Sequence, residues 1–107
     1  MSQEKPVLLE FSMYPTDKGE SVSEFVSRSL DIIDKSGLEY RLGPMGTTLE
    51  GGWDECMAVV ADCFNRMKQD SNRIAVSLKV DYRKGGCDRM NSKIKSLETK
   101  LGKEIKK

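Results

Sequence analysis

Two short stretches of this chain set carboxylates, hydroxyls and a phenol at every second residue. In Val7–Tyr14 they are Glu10, Ser12 and Tyr14; in Thr47–Glu50 they are Thr48 and Glu50. Period-two spacing puts each set on one face of an extended strand. Carboxylates shut away from water are costly unless something pairs them. Such a surface therefore suits a guest that brings hydrogen-bond donors or positive charge, and two simply solvated carboxylates are the alternative. Glu10 and Glu50 can also be imagined as an acid/base pair, but only with strongly shifted pKa values. The chain has no histidine, so imidazole bases, Cys–His nucleophiles and histidine-ligated metals are excluded, and no nucleophile with its base is recognisable. Oxygen ligands at Glu10, Glu50 and Asp81 lack a diagnostic calcium or magnesium spacing. No metal and no cofactor is assigned.

The elements that must carry these groups follow from the hydrophobic pattern. Val7–Tyr14 alternates, with Val7, Leu9, Phe11 and Met13 forming an apolar face, and Pro15–Gly19 breaks it. Ser21 and Glu24 have capping-box spacing for a helix with Val22, Phe25, Val26, Leu30 and Ile33 on its apolar stripe, stopped by Gly37. Leu38–Leu42 is a short strand, Gly43–Gly46 a turn with Pro44 at its second position, and Thr47–Glu50 the returning strand. A second helix spans about Trp53–Gln69, with Trp53 expected in the core. Arg73–Tyr82 alternates again, with Ile74, Val76, Leu78, Val80 and Tyr82 on one face. Met90, Ile94, Leu97, Leu101 and Ile105 mark a last helix. The expected class is α+β: a ferredoxin-like βαββαβ sandwich with an additional C-terminal helix. Two helices would cover one sheet face. Leu8 and Tyr14 on the other would favour self-association through it. With Leu49 in the core, Thr48 and Glu50 join Glu10, Ser12 and Tyr14 on that second face.

At 107 residues the chain suits a single domain, 1–107. A hydrophobic share of 37% with 33% charged residues marks a globular chain. A formal net charge of +1 argues against nucleic-acid binding through a basic surface. No apolar run approaches the roughly 20 residues of a membrane span, and the N-terminal apolar segment is too short for a secretory signal. The 3 cysteines fit a reducing, cytoplasmic setting. Cys56 and Cys63 on one helix stand roughly 10 Å apart along its axis, too far for a disulfide, and are read as core residues. Cys87 falls in a glycine loop.

The segment from Gly43 to Glu55, GPMGTTLEGGWDE, gathers four glycines, two threonines and three carboxylates around the only tryptophan. A turn and a helix start account for much of it. Turn and helix do not require Thr47, Thr48 and Glu50 on one short strand.

Together with Met13-Tyr14-Pro15, Ser21-Val22-Ser23, Asp81-Tyr82-Arg83 and Asp88-Arg89, the run Met45–Asp54 gives the chain its resemblance to the small thiamine-binding protein family, formerly an uncharacterised protein family. The run is specific, and the likeness covers nearly the whole chain. The resemblance implies a ferredoxin-like fold, homodimers or homotetramers, and non-enzymatic binding of thiamine or its hydroxymethylpyrimidine moiety between subunits. In those terms Glu50 or Glu10 balances the thiazolium charge, while Thr48, Ser12 and Ser23 meet the pyrimidine edge. Tyr14 stacks on a ring, and Thr47 belongs to the specific run. Arg83 pairs with Asp81 or a helix end, or binds a phosphate. The competing classes are a structural or regulatory oligomer that binds no ligand, and a small enzyme using carboxylates.

Overall fold

The computed structural model describes residues 6–17 and 23–84, with isolated positions 95, 97, 99, 100 and 102 beyond them. Six elements follow in the order β1 (Val7–Pro15), α1 (Ser23–Lys35), β2 (Glu39–Leu42), β3 (Thr47–Gly51), α2 (Trp53–Lys68) and β4 (Ile74–Tyr82). They form a small α+β fold in which all four strands pair antiparallel in the order β2-β3-β1-β4. The expected Ser21 cap, the last helix and Cys87 lie outside the described residues, apart from the isolated positions named above. Among the described residues no helix is long and apolar enough to cross a membrane.

Each element sits close to where its pattern predicts it. After Lys35, Gly37 takes φ +82°, the left-handed conformation that glycine adopts without penalty, and the Ser36 hydroxyl donates to the Ile33 carbonyl at 2.6 Å. At the start of α2 the Glu55 carboxylate accepts from the Gly52 N–H at 3.1 Å. Gly52 has no side chain to return a bond, so half of a capping box forms. Asp54 and Glu55 in the first turn complement the helix dipole.

The core lies between the helices and the central strands. Val7, Leu9, Phe11 and Met13 of β1 meet Leu49 of β3, Ile33 of α1 and Cys56, Val59, Val60, Cys63 and Met67 of α2. Small side chains let the helices approach: the Cys63 thiol donates to the Ser29 carbonyl on α1 at 3.7 Å. Across the helix ends Asp70 accepts from Arg28 at 2.5 Å and from Arg66 at 2.9 Å, and Arg28 also reaches Glu24 at 2.7 Å. These groups are a third or more exposed, which limits such pairs to about 0–1 kcal/mol.

Two expectations fail here. Trp53 is not a core anchor; it is 47% exposed at the first position of α2. The apolar face of β4 is not a core face throughout. Register places Val80, Leu78 and Val76 beside Leu9, Phe11 and Met13. Yet Val76, Leu78 and Tyr82 are exposed, because the helices pack chiefly over β1 and β3. Alternation identifies a face; it does not say how far a helix reaches across it.

Leu9 is fully buried at the centre of this core. Leu9→Ala should cost about 2–5 kcal/mol, read as a fall in the urea midpoint at unchanged slope. Cys56 and Cys63 are buried thiols outside any disulfide, and burial pushes the Cys63 thiol up to about 11. At pH 8 about a thousandth of such a thiol is thiolate. A native-state alkylation followed by mass spectrometry should therefore leave both unmodified, and denaturant should release both.

Candidate functional site

β1 is longer than the strand beside it. Their pairing runs from Val7↔Gly51 to Phe11↔Thr47 and stops, leaving Ser12–Pro15 with no β3 partner. The β2–β3 hairpin turns at that point, so the sheet has a notch beside the second half of β1. The hairpin is held tightly. The Gly43 N–H donates to the Gly46 carbonyl at 2.8 Å. A Cβ on Gly46 would lie 2.9 Å from the Phe11 carbonyl oxygen, a backbone atom with little room to yield.

A pocket of about 430 Å³ occupies the notch, within the usual size range of small-molecule sites. Phe11–Tyr14 of β1 form one wall and Leu42–Thr47 of the hairpin another; Val26, Ser29, Leu30 and Ile33 of α1 form the third. The walls are mainly apolar. Ser12, Ser29 and Thr47 bring hydroxyls and Tyr14 a phenol, and among the described residues no charged side chain lines the pocket. Thr47 and Ser29 are buried and Tyr14 is 45% exposed, so the site has a closed interior and an open mouth. Hydroxyls both donate and accept, and with apolar walls they suit a flat heterocycle with polar edges.

On the face away from α1 and α2, register brings the expected residues together. One rung reads Arg41–Thr48–Glu10–Lys79 and the next Glu39–Glu50–Leu8–Asp81; Ser12 pairs with Ser77 and Tyr14 with Ala75. Glu10, Ser12, Tyr14, Thr48 and Glu50 thus share a face, as alternation requires. That face is not evenly open, which is a further correction: Leu8 and Glu50 are 9% and 7% exposed, whereas Glu10 is exposed.

Of the sequence candidates, Ser12, Tyr14 and Thr47 line the pocket. Glu10 adjoins it: its Cγ lies 3.6 Å from where a Cβ on Gly46 would stand. Thr48 is beside Glu10 on the same rung, and Glu50 is one rung farther away. Ser23 is exposed at the first position of α1 and Arg83 is exposed just past β4; neither lines the pocket. The residues missed were Ser29, the α1 wall and Met45. Ser29 had a readable signal, being a polar residue three after Val26 and four before Ile33 on an apolar stripe. A second depression, of about 390 Å³, is lined by Ser27, Arg28, Asp31, Ile32 and Arg66. Its arginines already serve Glu24 and Asp70. Among the described residues no three potential ligand side chains gather for a metal.

A family model described as thiamine-binding protein matches residues 9–98. A UPF0045 protein of Methanocaldococcus jannaschii is 32% identical over 93 residues, covering 87% of this chain and 93% of the relative. One from Mycobacterium bovis is 35% identical over 96 residues, covering 89% and 94%. The M. jannaschii crystal structure superposes with a TM-score of 0.80 at 33% identity, over 86% of this chain and 95% of that one. A Thermotoga maritima protein named for a suggested role in thiamine biosynthesis or salvage superposes with a TM-score of 0.77 at 26% identity, over 87% and 99%.

The notch depends on the hairpin lying close to β1. Gly46→Ala forces a Cβ against the Phe11 carbonyl and should cost about 1–3 kcal/mol. A lowered melting temperature, with amide shift changes concentrated at residues 10–12 and 42–47, is the expected result.

Proposed function

The chain belongs to the thiamine-binding protein family, and from that membership we propose that it is a non-enzymatic binder of a thiamine-type ligand seated in the notch. The observation that carries the reading is the pocket itself: about 430 Å³, apolar-walled, with hydroxyls at Ser12, Ser29 and Thr47. Thiamine joins an aminopyrimidine to a cationic thiazolium. The pyrimidine has an amino donor and ring-nitrogen acceptors that three hydroxyls can serve. The cationic ring is a poor guest among apolar walls, since burying an unpaired charge is costly. It stays at the mouth, where Glu10 adjoins the pocket and Tyr14 is half exposed. Thr48 supports Glu10 on its rung. Glu50, Ser23 and Arg83 have roles outside the notch in this arrangement.

The element order and the strand order β2-β3-β1-β4 support a ferredoxin-like sandwich, to which the C-terminal periodicity adds a helix. Self-association into a homodimer or homotetramer, with the ligand at a subunit interface in the cytoplasm, is the assembly we propose. The exposed apolar row of β4 at Val76, Leu78 and Tyr82 supports self-association.

Calorimetric titration with thiamine and with hydroxymethylpyrimidine tests the reading. Wild type should bind both and return thiamine chemically unchanged. Glu10→Gln should weaken thiamine about two- to fivefold, the value of a partly solvated charge contact, and leave the uncharged pyrimidine untouched. Glu50→Gln should bind thiamine like wild type. A wild-type protein that binds neither ligand would end the proposal; equal loss of both ligands in Glu10→Gln would remove the charge assignment.

A further inference from the structure

Nine large apolar side chains are exposed among the described residues, and four of them, Tyr14, Val26, Leu42 and Met45, line the one notch. Single exposed apolar residues need no explanation, but four around one mouth do. Met45 is the extreme, 86% exposed at the tip of the β2–β3 hairpin while also forming part of the pocket wall. The backbone beneath it has little freedom. Gly43 and Gly46 are bonded to each other at 2.8 Å, and a Cβ on either would lie 2.9–3.0 Å from a backbone oxygen. What can move is the side chain, an unbranched thioether with three rotatable bonds.

We infer that Met45 contacts the ligand, folding over the outer face of a planar aromatic guest held in the notch, with Tyr14 bordering the same guest from the β1 wall. This rests on the notch being the ligand site. Divalent sulfur packs favourably against aromatic rings, so closure gains contact and shields the guest without moving the backbone. The thioether selects flat aromatic guests over aliphatic ones of equal volume.

Two measurements on the full chain test this with thiamine as the probe. In calorimetry and stopped-flow binding, Met45→Ala should weaken affinity about three- to tenfold, chiefly through faster dissociation, and Met45→Leu should recover most of the loss. In dilute peroxide followed by peptide mass spectrometry, Met45 of wild type should oxidise readily when free and severalfold more slowly at saturating thiamine. If wild type binds thiamine but Met45→Ala binds equally well, the inference fails alone. It fails equally if affinity drops while thiamine gives Met45 no protection, because Met45 then acts through the hairpin. If wild type binds no thiamine, the site reading falls and takes this inference with it.

Discussion

The close approach of the β2–β3 hairpin to the Phe11 carbonyl is the contact on which the notch depends. β1 is one of the two central strands and carries the core on one face and chiefly polar groups on the other. Because β3 begins at Thr47, opposite Phe11, the last four residues of β1 have no strand beside them there. Glycine at position 46 lets the turn close against β1 at that point; any Cβ would push it away. The notch is therefore a defect in the sheet with a defined shape, bounded by an element that cannot easily shift. Sites set on rigid neighbours in this way need little reorganisation to receive a guest, which lowers the entropic cost of binding.

Helix placement accounts for the rest of the surface. α1 and α2 meet over β1, with Ser29 and Cys63 allowing close contact, and α1 supplies the third wall of the notch. The same arrangement leaves β4 largely uncovered and its apolar row at Val76, Leu78 and Tyr82 exposed. The face away from the helices is divided. Leu8 and Glu50 are buried at one end of it, and Glu10 and Tyr14 are accessible beside the notch.

The family relationship and the geometry bear on different parts of the function. The family model matched over residues 9–98 supports a thiamine-related role, and relatives in an archaeon and a bacterium share most of their length with this chain. The pocket's chemistry then bears on where such a ligand fits. Apolar walls with hydroxyls at Ser12, Ser29 and Thr47 suit an uncharged heterocycle better than a cation or a phosphate, and the Glu10 carboxylate adjoins the pocket without lining it.

Much was legible in the chain itself. Local periodicity is a property of neighbouring residues, so it located all six described elements to within one or two residues. It also put Glu10, Ser12 and Tyr14 on one face and Thr48 and Glu50 on the matching one. Strand alternation has a period of two, and a register slip of one would have reversed every side chain; the buried set Val7, Leu9, Phe11 and Met13 leaves no choice. The remainder is non-local. Where β3 stops along β1 follows from pairing between residues some forty positions apart in the chain, and only that pairing opens the notch. How far two helices reach across a sheet decided that Val76 and Leu78 are exposed and that Ser29 faces a pocket. Trp53 and Glu50 make the same point from opposite sides: a large aromatic lies at the surface and a carboxylate is buried. Burial is set by what the rest of the fold places overhead, and no window of sequence contains that information.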